Sequence, residues 1–200
     1  EVRRTRAGDF GDEVRALGCR AATALADLGH DKIGQVLVSK TLATFGKLDV
    51  VVANDGSNNV SLLINTSPTF KAAVSTATAG NRPQGLVLAD FNGDQKLDFA
   101  TADSNGNSVT IRLNNGTGGF GALGSTIMNV SAPNYLVAGD FDGNGKIDLA
   151  TPNGGVATLR FSPGNNDGTF GTGGTTALPA NNGNRWVAKG DFNLDGFLDL

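Results

Sequence analysis

Apolar and polar residues alternate in three short stretches, Val60-Ser-Leu-Leu-Ile64, Val109-Thr-Ile-Arg-Leu113 and Val156-Ala-Thr-Leu-Arg-Phe161. A period of two sends successive side chains to opposite faces and predicts strands with one buried face. Before each stands a short β-favouring run, Val50 to Ala53, Phe99 to Ala102 or Leu149 to Thr151, separated from it by a polar turn rich in Asn and Gly. After each, the chain turns through Thr69-Phe70, Gly119-Phe120-Gly121 or Thr169-Phe170-Gly171. A weaker strand such as Thr126 to Val130 precedes the leading strand of the next unit, Leu86 to Ala89, Leu136 to Ala138 or Trp186 to Ala188. Pro83 and Pro133 stand ahead of two leading strands, where a missing N–H is tolerated.

The unit repeats. Its leading strand runs into a nine-residue acidic loop, written as Asp90-Phe-Asn-Gly-Asp-Gln-Lys-Leu-Asp98, Asp140-Phe-Asp-Gly-Asn-Gly-Lys-Ile-Asp148 and Asp191-Phe-Asn-Leu-Asp-Gly-Phe-Leu-Asp199. Aligning the last aspartates extends the register backwards: Asp49, Asp98, Asp148 and Asp199 are spaced by 49, 50 and 51 residues. Four short strands in roughly fifty residues match the period of a propeller blade, and the tight turns favour it over a parallel solenoid with shorter rungs. The expected fold class is all-β, an open or partial array of propeller blades over about 41–80, 81–130, 131–182 and an incomplete 183–200. Residues 1–40 depart from the pattern. Val14, Leu17, Ala21, Leu25 and Leu28 recur at helical spacing, with Asp12 as a cap and Gly29 as a stop, which predicts an amphipathic helix over 12–28. Leu25-Ala-Asp-Leu28 also resembles Leu88-Ala-Asp-Phe91, so a decayed, out-of-phase repeat is the competing reading of this segment.

Composition agrees with many strands and tight turns: 29 glycines and 18% charged residues in 200. The net charge of -3 offers no basic footprint for nucleic acid. No apolar run reaches membrane-spanning length, so membrane insertion is not expected. No secretion signal follows Arg3, Arg4 and Arg6, and an exported protein would carry its signal upstream of Glu1. Cys19 is the only thiol and His30 the only histidine, which leaves a cysteine nucleophile or a serine triad dependent on one imidazole in the atypical segment. There is no Gly-x-Ser-x-Gly elbow, and the expectation is that the chain is not an enzyme.

Acidity is local. Of 13 acidic side chains after residue 40, nine lie in the three loops. Oxygen-bearing side chains recur at every second position: Asp90, Asn92, Asp94 and Asp98; Asp140, Asp142, Asn144 and Asp148; Asp191, Asn193, Asp195 and Asp199. The backbone carbonyls of Lys96, Lys146 and Phe197 would fill the remaining gap, because a lysine head has no lone pair to give. Gly93, Gly143, Gly145 and Gly196 permit the curl. Such a set suits Ca²⁺, up to three ions in all, better than Mg²⁺, which keeps its water, or Zn²⁺, which prefers thiolate and imidazole. An EF-hand would need a glutamate where Thr101 and Thr151 stand. The bland alternative is that Asp, Asn and Gly merely make turns. The first phase, Thr41-Leu-Ala-Thr-Phe-Gly-Lys-Leu-Asp49, keeps the last aspartate without the earlier carboxylates and should bind no metal.

Leu88-Ala-Asp-Phe-Asn-Gly-Asp, Val137-Ala-Gly-Asp-Phe-Asp-Gly and Val187-Ala-Lys-Gly-Asp-Phe-Asn resemble FG-GAP (VCBS-type) repeats, the blades of integrin α-subunit propellers and of many secreted bacterial proteins. Gln95 and Leu194 depart from that pattern, standing where loop glycines are usual. The resemblance implies a Ca²⁺-stabilised β-propeller, extracellular or at the cell surface, that binds an extracellular protein or glycan without catalysis. A lectin is one alternative, with Tyr135 and Trp186 as stacking residues and Gly85 at the equivalent place in another copy, although aromatics on such leading strands more often serve packing. An accessory domain of a larger secreted enzyme is another.

Overall fold

The computed structural model describes residues 50–64, 66, 69, 71, 74–77, 80–117, 119–179 and 186–200. The expected helix over 12–28, the phase ending at Asp49, Cys19 and His30 lie outside them. The chain divides into two compact units, one of residues 1–50 and 63–72, the other of 51–62 and 73–200. In the first, a turn closes with Thr66 N–H on Thr69 O at 2.8 Å and Lys71 N–H on Ile64 O at 2.9 Å.

Among the described residues there are eleven strands and no helix: β1 (Val50–Asn54), β2 (Asn59–Leu63), β3 (Val74–Ala77), β4 (Pro83–Ala89), β5 (Asp98–Asp103), β6 (Ser108–Asn114), β7 (Phe120–Met128), β8 (Val137–Gly139), β9 (Asp148–Asn153), β10 (Thr158–Ser162) and β11 (Gly174–Ala177). They form three sheets in which sequence neighbours pair: β1-β2-β3, β4-β5-β6-β7 and β8-β9-β10-β11. Every pairing with a determined register is antiparallel. Each sheet is thus a simple meander, as short strands joined by Asn- and Gly-rich turns favour.

Several expected boundaries shift; β10, for instance, starts at Thr158 rather than Val156. Phe120 belongs to a strand rather than to the turn, because Asn115 N–H closes on Gly119 O at 3.0 Å and returns the chain early. Strand β7 then runs Phe120–Met128 in place of Thr126 to Val130. Trp186 to Ala188 form no strand; only Gly190 and Asp199 make an isolated bridge. A strand exists by virtue of a hydrogen-bonded neighbour, and those three residues have none assigned.

Alternation sorts the middle sheet into two faces. Ala100, Ala102, Val109 and Ile111 pack with Val130 and with Leu136, Ala138 and Leu149 of the following repeat. On the opposite face Phe99 meets Phe120 edge-on, ring centroids 4.7 Å apart, beside Val60, Val51, Leu62 and Leu86. Ile111, Leu136 and Leu149 are almost wholly buried. Each such side chain contributes about 1.5–3 kcal/mol, so the faces between sheets hold the repeats together. Close approach is built in at Gly85, where a Cβ would come within 2.9 Å of Tyr135 Cα and 3.0 Å of Asn134 O.

Candidate metal centre

Three acidic loops join β4 to β5, β8 to β9, and the last leading segment to Asp199. A tight curl leaves backbone N–H groups without strand partners, and these must find other acceptors. The loop side chains supply them in the same way each time. At position one, Asp90 accepts from Gly93 and Asp94 N–H (2.8 and 3.1 Å) through Oδ1 and from Gln95 N–H (2.7 Å) through Oδ2. Asp140 takes Asn144 and Gly145 N–H at 3.0 and 2.8 Å, and Asp191 takes Asp195 and Gly196 N–H at 3.1 and 2.9 Å. Position three accepts from the amide two residues on: Asn92 from Asp94 (3.2 Å), Asp142 from Asn144 (3.1 Å), Asn193 from Asp195 (3.0 Å). Position five repeats this with position seven: Asp94 from Lys96 (3.0 Å), Asn144 from Lys146 (2.8 Å), Asp195 from Phe197 (2.9 Å). These are Asx-type turns in series, and they hold the side-chain oxygens on the inside of the curl.

Position nine is different. Asp98 and Asp148 are fully buried. The Oδ2 atoms of Asp98, Asp148 and Asp199 accept the position-two amides of Phe91, Phe141 and Phe192 at 3.0, 2.9 and 2.8 Å. Oδ1 of Asp98 accepts Asn114 N–H and that of Asp148 accepts Gly164 N–H, each at 2.8 Å, so the carboxylate also pins the end of the next hairpin. Burial pushes the Asp98 carboxyl above the usual carboxylate range, against the pull of those two bonds and with the help of Asp94 and Asp90.

The structure brings one carboxylate triple together: Asp140, Asp142 and Asp148 each offer an oxygen within 4.8 Å of the others. Among the described residues the first and third loops form no such triple, although each also holds three carboxylates, at positions one, five and nine. In the first loop Lys96 Nζ meets Asp94 Oδ2 at 2.8 Å. That contact holds the Asp94 carboxyl below, and the Lys96 ammonium above, their ordinary values. An internal cation thus already neutralises part of this loop. The donor set throughout is hard oxygen, which fits Ca²⁺, and position seven, held by Lys96, Lys146 or Phe197, can add only its carbonyl.

Sequence reasoning missed a second set of repeated polar residues. Five residues after Asp49, Asp98 and Asp148 stand Asn54, Asp103 and Asn153. Each bonds a side chain on the following strand: Asn54 Nδ2 to Asn59 Oδ1 and Ser61 Oγ, both at 2.7 Å; Thr110 Oγ1 to Asp103 Oδ2 at 2.6 Å; Asn153 Nδ2 to Thr158 Oγ1 at 2.7 Å. Nine residues after Asp49 and Asp98 come Asn58 and Asn107, whose Oδ1 atoms accept Arg82 and Ala132 N–H at 2.8 Å each, stitching one repeat to the next. The signal was their constant offset from the last loop aspartate. Asp55 takes the Arg82 guanidinium at 2.8 and 3.0 Å.

Consecutive antiparallel meanders, two of them with an oxygen-rich loop between the first and second strands, define a repeat-built all-β protein. The FG-GAP-like repeat family matches residues 46–101 and 90–151. These spans take in more than half of the chain, which belongs to that family. The fold is similar to that of a functionally unknown protein from Desulfotomaculum acetoxidans, with a TM-score of 0.53 and 16% identity, covering 66% of this chain and 39% of that one. A chain of the Photorhabdus luminescens Tc holotoxin pore aligns with a TM-score of 0.38 and 21% identity over 66% of this chain and 6% of its own. A Mycobacterium tuberculosis protein named as an uncharacterized oxidoreductase is 41% identical over 56 residues, 28% of this chain and 21% of that protein.

Proposed function

We propose that this chain is a noncatalytic, calcium-binding β-propeller module of a secreted or surface protein, whose loops and sheet edges serve adhesion or protein binding. The observation that carries the reading is the convergence of Asp140, Asp142 and Asp148 oxygens within 4.8 Å in a loop whose every turn aims oxygens inward. Three carboxylates that close repel one another, and a divalent cation removes that repulsion. The consecutive meanders are the blades, and the ion stiffens the connection between the first two strands of a blade. Loop sites of micromolar or weaker affinity fill where calcium is plentiful, which supports an extracellular setting. The test is a thermal melt with Ca²⁺ and with chelator, joined to calorimetric titration of Asp142→Ala and Asp55→Ala. Ca²⁺ raises the melting temperature, Asp142→Ala weakens binding, and Asp55→Ala leaves it intact. A transition unmoved by chelator, or equal losses in the two variants, overturns the reading.

A specific observation favours the lectin alternative as the form of the partner. The Tyr135 and Trp186 rings lie 4.9 Å apart at a tilt of 48°, and Trp186 is 77% exposed. An open aromatic pair is the kind of surface on which a sugar ring stacks. A glycan array distinguishes the two: retention that Trp186→Ala abolishes supports a sugar ligand, and a blank array leaves protein adhesion.

A further inference from the structure

Asp103 is fully buried and carries an ionisable group where the neighbouring repeats place asparagine. At the end of β5, Asp103 accepts Thr101 Oγ1 at 3.0 Å and Thr110 Oγ1 at 2.6 Å, with Ser108 as a third hydroxyl donor. Its carboxylate lies against Gly80, so closely that a Cβ there would strike it. The turn that follows is stitched to the connector between the first and second sheets: Ser104 N–H bonds Arg82 O at 2.9 Å, and Asn105 and Gly106 N–H bond Asn81 O at 3.1 and 3.2 Å. The group thus sits at the junction of two repeats.

Among the described residues, no cation beside Asp103 offsets a negative charge at this junction. Strands β1, β2, β3, β4 and β7 carry no ionisable side chain. On β5 the other acid is Asp98, at the far end of the strand; on β6 the one cation is Arg112, paired across from Phe99 while Asp103 pairs with Ser108. From the connector, the Arg82 guanidinium is directed to Asp55. Three hydroxyls stabilise a carboxylate in part, but burial without a cation disfavours it more. The equivalent asparagines show that an amide satisfies this position, donating to hydroxyl or amide oxygen at 2.7 Å.

We propose that Asp103 makes the junction between the first two sheets responsive to pH: neutral, it serves as an asparagine does in the sister repeats, and ionised, it loosens the junction. Burial raises the Asp103 carboxyl above the usual range, the hydroxyls of Thr110, Thr101 and Ser108 opposing. A group raised on folding contributes stability that is complete below its unfolded value, about 3.9, and is lost as pH rises through its folded value. The junction is therefore tighter in acid and looser toward neutrality.

The experiment compares melting temperatures of the intact chain and of Asp103→Asn, in chelator, from about pH 4 to pH 8. The variant's advantage grows as pH rises through the folded value and then levels off, because all other groups titrate alike in both proteins. An advantage that is flat, or that grows toward acid, overturns the proposal. Asp55→Asn serves as a contrast of opposite sign, since the Arg82 guanidinium hydrogen-bonded to Asp55 holds that carboxyl below its ordinary value. Carboxyl ¹³C NMR of the unmodified chain gives an independent reading should the variant fail to fold. A midpoint for Asp103 above the ordinary aspartate range supports the proposal, and one at or below it does not.

Discussion

Positions four and six of each acidic loop take left-handed backbone, and the residues there are not all glycine. Gly93, Gly143 and Leu194 hold position four at φ 75°, 73° and 63°; Gln95, Gly145 and Gly196 hold position six at 65°, 80° and 89°. Only glycine adopts this region without crowding its Cβ, and a leucine there costs roughly 1–2 kcal/mol. Leu194 recovers little by packing, being 88% exposed. Leu194→Gly therefore stabilises the chain by up to about 1 kcal/mol, after the larger entropy that glycine loses on folding is subtracted. A denaturant melt with an unchanged slope and a higher midpoint is the expected result, and a lower midpoint would show that the leucine is not strained. The sequence marked Leu194 and Gln95 as departures; the backbone angles give the departure its physical meaning.

At the scale of the loop and its strands, the four oxygen positions divide into two kinds. Positions one, three and five bind amides within the curl and lie toward solvent, so the first phase can lose their carboxylates while Asp49 remains. Position nine joins the loop to the next hairpin from inside the sheet, with Asp148 holding Phe141 N–H and Gly164 N–H. Removing Asp148 leaves two amides without acceptors, one of them in a buried residue, at about 1–3 kcal/mol each. With chelator present, Asp148→Ala thus lowers stability by roughly 2–5 kcal/mol, whereas Asp142→Ala, at an exposed position, changes it by less than about 0.5 kcal/mol. Equal costs in a chemical melt would refute this division. Period and spacing picked out all four positions as oxygen-bearing, but alternation could not tell that the ninth also closes the sheet, because Asn114 and Gly164 lie 16 residues further on.

Across the whole molecule, the repeats cohere through matched faces. Phe91, in the first acidic loop, is buried edge-on against Phe170 of the following repeat, ring centroids 5.7 Å apart, and its carbonyl accepts Gly168 N–H at 2.9 Å. The sequence presented these two phenylalanines as members of separate motifs, one in an acidic loop and one in a Phe-Gly turn. Their contact joins residues nearly eighty positions apart. Asp103 likewise takes its significance from other segments: from Gly80 and the connector beside it, and from the placing of Arg112, the cation on β6, across from Phe99 rather than beside it.

By itself the sequence determined the all-β class, the repeat of roughly fifty residues and the oxygen-bearing loop positions, because those follow from local alternation, turn chemistry and a counted period. Tertiary structure alone decided which loop gathers three carboxylates, that position nine is a buried tie between hairpins, and that Asp103 is enclosed with no cation beside it among the described residues. Those outcomes depend on burial and on hydrogen bonds between distant segments. A side chain's spacing along the chain does not reveal what surrounds it, and for a carboxylate the surroundings decide between ligand, clasp and titrating group.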